Sequence, residues 1–431
     1  MRVYDLRTES AESVRRALRH ALTEPTPEAE AQVRAIQQRV LQEGDSALLE
    51  LSRQWDCPTL QQLAVSEAEF EHAYRTIDPA VLEAIRTAIA RVRRFHEAQR
   101  PTSWWIAEPL GGWLGQKVAP LRRVGIYAPG GRARYPSTVI MNAVPARVAG
   151  VEEIILCTPA QPDGSLPASV LVAAAEVGIR KVFKVGGAQA IFAMAYGTAT
   201  VPPVEKIVGP GNLYVALAKR MLWGQVGVDL WAGPSEVAIV ADDTANPEWI
   251  ASDLLTQLEH GAESVGYLLS DSEGVVHATL QAIERQLPRR QRRAILDKSL
   301  THSVALICPT LEEAVEWANE IAPEHLSLMT ANPERWLERV RCAGCILLGH
   351  YTPQSAGDYL AGPSHTLPTG RAARFESPVS VETFLKRSSV IALSATALQS
   401  LDPFLQALAR EEGFDGHADA SAIRFTAQGE N

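Results

Sequence analysis

Nowhere in the 431 residues do roughly eighteen or more apolar residues run together, which excludes a helix that spans a membrane. The opening stretch MRVYDLRTES lacks the apolar core of a secretory signal, so a cytoplasmic protein is expected. Excess positive charge is missing too. Lys and Arg number 41 against 50 Asp and Glu, for a formal net charge of −9, and this disfavours a nucleic-acid partner. The one dense basic run, RRQRR at 289–293, reads as a solvated helix face. Cysteine is scarce: Cys57, Cys157, Cys308, Cys342 and Cys345 are an odd number spread over a long chain, which points to free thiols rather than a disulfide framework. Cys342 and Cys345 form a C-x-x-C with no second pair to complete a zinc ribbon. Cys345 opens the apolar run CILLG and is expected as a buried strand residue. No internal repeat or low-complexity segment stands out.

What is present is the composition of a globular protein, 46% hydrophobic and 21% charged, long enough for roughly two to four domains. The N-terminal part reads as helices. SEAEFEHAY carries a capping box, Ser66 with Glu69 three residues on. Asp78 and Pro79 open a second helix whose apolar stripe is Leu82, Ile85, Ile89 and Val92, with His96 continuing it as a packing residue. A hairpin-like stretch, GGWLGQKVAPL, follows. From about 124 onward, short apolar runs (VGIYA, EEIILCT, KVFKV, VEKIV, SEVAIVA, SVGYLLS, HSVALIC, CILLG) alternate with helical segments of ten to fifteen residues. That rhythm indicates parallel sheets built from βαβ units, in two α/β halves. Beyond about 377, SVETFLKRSSVIAL and LQSLDPFLQALAREEG read as a small helical module.

Three strands run into glycine: VGIYAPGGRARYPS, VFKVGGAQA and KIVGPGNLY. Each feeds a helix, the geometry in which backbone N–H groups and the helix dipole meet a phosphate. None reads G-x-G-x-x-G, and no acidic residue follows about twenty positions on in the expected context. Together, at the ends of successive parallel strands, they indicate a ligand crevice without naming its ligand.

Polar residues of chemical interest gather in a few places. Gln257 and His260, in LLTQLEHG, are three apart and share a helix face. Alone they read as the polar rim of a helix, since glutamine is an uncommon metal ligand. Glu324 and His325 adjoin in IAPEHLSL; Asp358 and His365 occur in SAGDYLAGPSHTLPTG; Glu412 and His417 in EEGFDGHAD. Adjacent Glu and His at a loop–strand junction suit two proton-transfer roles. Gln257, His260, Asp358 and His417 would supply two nitrogens and two oxygens, a set zinc accepts.

With these stretches in view, the chain resembles histidinol dehydrogenases from roughly residue 25 to 427. The resemblance rests on VGIYAPGGRARYPSTVIMNAVPARVAGV, VGGAQAIFAMAYGT, KIVGPGN, GVDLWAGPSEV, NPEWIASDLLTQLEHG, NEIAPEHLSL, GDYLAGPSHTLPTG and EGFDGH. It implies NAD-linked, four-electron oxidation of L-histidinol to L-histidine through an enzyme-held aldehyde, the last step of histidine biosynthesis. Carried over by position, it implies zinc, one per subunit, on Gln257, His260, Asp358 and His417, and an acid/base pair of Glu324 and His325. Ser235, His365 and Glu412 would contact substrate together with His325 and the metal ligands; Tyr127, Gln189 and Asn212 would contact NAD. In this chain Ser364 precedes His365 where the family often has asparagine.

The implied fold is α/β: two parallel-sheet, incomplete Rossmann-like domains with a small helical C-terminal module, in an intertwined homodimer. Residues 1–22 would form an N-terminal arm that packs on the partner subunit. Residues 23–124 with 237–376 would form the domain holding metal and acid/base residues, and 125–236 the domain with the NAD loops. Residues 377–431 would reach the partner's site. Zinc would orient the substrate's nitrogens, His325 accept the hydroxyl proton, and Glu324 activate water to hydrate the aldehyde. A thiohemiacetal route through Cys157 lacks a neighbouring cation to lower the thiol's pKa. Two other classes stay open, a zinc hydrolase using the same ligands without NAD and a silent histidinol-binding paralogue. Retention of every proposed ligand and both acid/base residues argues against the silent version.

Overall fold

Strands that are apolar on both faces need a layer on each side, and this chain provides two such sheets. The computed structural model describes residues 1–18, 26–131, 133–229 and 233–426. These fall into two compact units, Met1–Gln99 with Leu121–Phe384, and Arg100–Pro120 with Leu385–Asn431. No helix among the described residues is long and apolar enough to cross a membrane.

In the first unit, one sheet has six parallel strands in the order β1-β11-β10-β9-β12-β13. They are β1 (Arg2–Asp5), β9 (Glu236–Ala241), β10 (Val265–Ser270), β11 (Val304–Ile307), β12 (His325–Met329) and β13 (Cys345–Leu348). All six residues of β9 are buried. Side chains alternate across a strand, so Val237, Ile239 and Ala241 pack against Ile250, Leu254 and Leu258 of the helix Pro247–Leu258. Ala238 and Val240 face the opposite layer, with Val315 and Ala318 of the helix Leu311–Ile321. Each such buried Ile, Leu or Val is worth roughly 1.5–3 kcal/mol relative to exposure.

The other sheet is five-stranded and parallel, in the order β6-β5-β4-β7-β8. It comprises β4 (Arg123–Tyr127), β5 (Glu153–Thr158), β6 (Lys181–Lys184), β7 (Lys206–Val208) and β8 (Gly227–Val228). The capping box at Ser66 is formed, with the Glu69 carboxylate accepting from the Ser66 N–H at 2.9 Å. The Asp78 carboxylate likewise accepts from Ala80 N–H at 2.7 Å. His96 is buried in the stripe of Ile85, Ile89 and Val92, its Nδ1 2.7 Å from Gln99 Oε1.

Three sequence expectations change. Grouping 23–124 with the metal-bearing layer does not match the packing. Val33, Val40, Leu48 and Leu51 share a core with Ile155, Phe183, Ile191 and Ile207 of the five-stranded layer. Next to it, the Val65 amide donates to Val182 and the Lys184 amide to Leu63. The N-terminal arm is in part a strand: β1 pairs with β11 in register from Arg2–Val304 to Asp5–Ile307, because its backbone finds a free sheet edge within its own chain. The C-terminal module is not purely helical. The second unit contains an antiparallel sheet, β14-β3-β2, of β2 (Trp104–Ala107), β3 (Gly112–Pro120) and β14 (Leu385–Leu393). The helices Ala395–Glu411 and Asp415–Thr426 follow β14.

Candidate active site

Two features of local structure bring the acid/base pair to one place. His325 begins β12, where alternation turns it, like Met329, toward the layer of the helix Pro247–Leu258. That helix is capped by Asn246, whose side chain accepts from Glu248 N–H at 2.9 Å, and has Pro247 in its first turn. Its last turn places Gln257, completely buried, against the amino ends of the neighbouring strands β9 and β12.

There Gln257 Nε2 donates to Glu324 Oε2 at 2.6 Å and to the Glu236 carbonyl at 3.2 Å, and lies 3.5 Å from His325 Nδ1. The Glu236 amide donates to the same Glu324 Oε2 at 3.0 Å. His325 sits between two carboxylates, its Nδ1 3.9 Å from Glu324 Oε2 and its Nε2 3.5 Å from Asp358 Oδ1. The chain of contacts thus runs Glu324–His325–Asp358, with Gln257 tied to its first member.

Burial dominates the electrostatics. It pushes the Glu324 carboxyl up to about 7, against the opposing pull of His325. It raises Glu236 as well, with the Glu324 charge adding to the effect. For His325, burial works downward, but the hydrogen bond to Asp358 and the charges of Glu324 and Asp358 outweigh it and the pKa rises. Asp358 is the mirror case: burial pushes it up, while its bond to His325 and the neighbouring histidines bring it below its ordinary value. Perturbed groups of both kinds side by side are what acid–base chemistry near neutral pH requires.

The helix ends at Leu258 with Glu259 as its cap, so His260 lies beyond it and does not share a helix face with Gln257 as the sequence led one to expect; it is exposed, with Nδ1 3.4 Å from Ser235 Oγ. Desolvation lowers its pKa, against the opposing pull of Asp358. His365 is also lowered by burial. Its Nδ1 lies 2.9 Å from the Asp358 carbonyl, which can only accept, so Nδ1 carries the proton and Nε2, 3.5 Å from Thr138 Oγ1, keeps a lone pair. Six of the expected residues (Ser235, Gln257, His260, Glu324, His325, Asp358) and His365 therefore gather in the first unit. Glu412 and His417 lie in the second, both exposed, with the His417 ring 5.1 Å from that of Phe414. Among the described residues no group of three or more His, Cys, Asp or Glu is arranged as a metal site by itself. The donors at hand are an amide oxygen, an imidazole and a carboxylate, and their chemistry fits zinc.

The residues expected to meet a dinucleotide occupy the carboxyl end of the five-stranded sheet. Tyr127, at the end of β4, is buried, and its hydroxyl accepts from Gly187 N–H at 3.1 Å. Gln189 is buried in the helix Gly187–Tyr196, with Oε1 lacking a partner. Asn212 caps the helix Leu213–Met221, accepting from the Tyr214 and Val215 amides at 3.1 and 3.2 Å. The glycines let these turns close tightly: a Cβ at Gly186 would come within 2.6 Å of Pro159 Cβ. Cys157 is buried, and burial pushes its thiol well up. Cys345 begins a strand as expected but is only half-buried.

Sequence reasoning missed Glu236 and Gln354. Glu236 is a carboxylate opening an otherwise apolar strand, an oddity visible in SEVAIVA. Gln354, also fully buried, donates from Nε2 to Gln257 Oε1, and it stands four residues before Asp358 on one short helix, Gln354–Tyr359. That spacing was a usable signal.

Known proteins resemble this chain along nearly its whole length. A histidinol dehydrogenase of Halalkalibacterium halodurans is 48% identical over 394 residues, 91% of this chain and 93% of that protein. Another, from Geobacter sulfurreducens, is 45% identical over 429 residues, 99% of this chain and all of its own length. The crystal structure of histidinol dehydrogenase from Elizabethkingia anophelis superposes with a TM-score of 0.95 at 33% identity, covering 100% of this chain and 99% of that one. Residues 20–425 match the histidinol dehydrogenase family, and the chain belongs to that family.

Proposed function

We propose that this protein oxidises L-histidinol to L-histidine in two NAD-linked steps, with one zinc per subunit held by Gln257, His260, Asp358 and His417. The observation that carries the reading is the Glu324–His325 pair, wedged between Gln257 and Asp358 in a chain of this family. When bound, zinc supplies a Lewis-acid anchor for substrate nitrogens, and NAD supplies the hydride acceptor.

The protein's own residues handle protons and water. In the first step the carbinol loses a hydride and a proton to become an aldehyde, and the His325 imidazole takes the hydroxyl proton, with Asp358 stabilising the cation. Water then adds to the aldehyde. Glu324 Oε2 is tied down by Gln257 and Glu236, which leaves Oε1 to receive the water's proton. The hydrate loses a second hydride, and its hydroxyl proton passes to His325, which has by then released the first to solvent, to give the acid. The lone pair on His365 Nε2 and the Ser235 hydroxyl orient the substrate's polar ends, joined by Glu412.

A homodimer completes this reading. The second unit exposes Trp104, Ile106, Ile391, Phe404 and Leu408, and a second copy of the chain is the occupant proposed for these apolar side chains. Sedimentation should show a dimer; a monomer at micromolar concentration counts against it. The central test is purified protein with L-histidinol, NAD⁺ and zinc, followed at the NADH absorbance band, with two NADH formed per histidinol consumed. Histidinol binding with no NADH formed would overturn the dehydrogenase reading and favour a hydrolase or a silent binder.

A further inference from the structure

We propose that Lys219 and Asp229 are positioning residues for the dinucleotide, holding the loop Gly209–Asn212 in the shape that meets its diphosphate; this rests on the NAD-linked reading above. Both side chains are almost wholly buried, 5% and 2% exposed, and Lys219 Nζ lies 2.5 Å from Asp229 Oδ1. Lys219 comes from the helix Leu213–Met221 and Asp229 follows β8, where its amide donates to Ile207 of β7. A buried ion pair is a poor way to gain stability, since apolar side chains of similar size do as well or better. What the pair achieves that apolar residues could not is directional. Asp229 Oδ2 accepts from the Gly209 N–H at 2.6 Å, and Lys219 Nζ donates to the Gly209 carbonyl. Both peptide groups of one glycine are thus gripped by the two halves of a single ion pair.

That glycine is the hinge of the loop. Gly209 has φ of +116°, and a Cβ there would lie 2.0 Å from the Tyr127 carbonyl oxygen. The clamp therefore fixes the loop against the end of β4, the strand that carries another of the glycine turns. Downstream, Asn212 spends its Oδ1 on the cap, which directs its Nδ2 donors away from the helix. The amides of Gly211 and Asn212 bond to no described residue. These donors sit together at the N-terminus of a nine-residue helix, the arrangement that suits phosphate oxygens. Their aim depends on where Gly209 is held.

The test compares wild type, Lys219→Met, Asp229→Asn and the double variant, which removes the buried charge altogether. Each is titrated with NADH and, separately, with L-histidinol, and thermal midpoints are recorded. The expected result is an NADH dissociation constant raised about tenfold or more, a KM for NAD raised with kcat largely kept, and unchanged histidinol affinity. A merely structural role would weaken both ligands together with the thermal midpoint, and that outcome overturns the proposal, as does unchanged NADH affinity. If the variants fail to fold, hydrogen exchange on wild type decides. NADH must slow exchange of the amides in 209–213, and no protection there, with NADH bound, refutes the assignment. A wild type that binds histidinol but no NADH refutes the NAD-linked reading itself, a result separable from the others.

Discussion

Replacing Glu324 with glutamine separates two consequences of its burial. The substitution is nearly isosteric, and the amide oxygen can still accept from Gln257 Nε2 and the Glu236 amide, now at 2.6 and 3.0 Å. The constellation should stay in place while the ability to take a proton is lost. General-base contributions are typically about 10²–10⁴-fold, so hydration-dependent oxidation of the aldehyde should fall by that order. Oxidation of the alcohol, which relies on His325, should fall much less. Stability should move the other way. A carboxyl held at about 7 instead of an ordinary 4.5 carries about 3 kcal/mol against ionisation. In the metal-free protein the folded state keeps its proton between those values while the unfolded chain has lost it. Wild-type stability therefore declines as pH rises through that window and levels off above it. Glutamine pays no such penalty. The variant should match wild type near pH about 4 and exceed it by up to about 3 kcal/mol above pH about 8. Rates with histidinol and with its aldehyde, and urea unfolding of chelator-treated protein at both pH values, check the two halves. Equal loss of both oxidation steps refutes the water-activating role, and a pH-independent stability difference refutes the raised pKa.

His260→Ala should lose zinc and activity together, read by metal analysis of the dialysed protein; full zinc occupancy refutes its role as a ligand. Gln354→Met removes the donor to Gln257 Oε1 while keeping the bulk, and should weaken zinc about 10–100-fold in chelator competition. An unchanged affinity means that Gln257 needs no such support. Cys157→Ala should keep activity within about twofold, because the buried thiol is held protonated and is a poor nucleophile; a folded but inactive variant revives the thiohemiacetal route.

The features legible in the sequence are those set by short-range chemistry. The caps at Ser66 and Asp78, the stripe ending at His96 and the continuous apolar strands all depend on neighbours within a turn or two. What escaped depends on distant partners. Leu385–Leu393 carries Lys, Arg and two serines on exposed positions, and only its pairing with Gly112–Pro120 makes it a strand. The stripe of Val33, Ile36 and Val40 announces a buried helix face but not which sheet will cover it. At the site, the Glu324–His325 pair was visible because its members adjoin, whereas Gln354 acts on a residue 97 positions away.

The edge strand β1 has a consequence for how the protein comes into being. Among the described residues its only pairing is with β11, in which Val304 is the first partner. Once made, the residues of β1 must therefore wait for some three hundred more before these hydrogen bonds can form, while the five-stranded layer has all its strands by Val228. During synthesis, which proceeds at about 5–20 residues per second, that layer can consolidate while the opening strand stays unpaired. Tags fused ahead of Met1 would sit at the last seam to close, and they should slow maturation more than they disturb the finished enzyme.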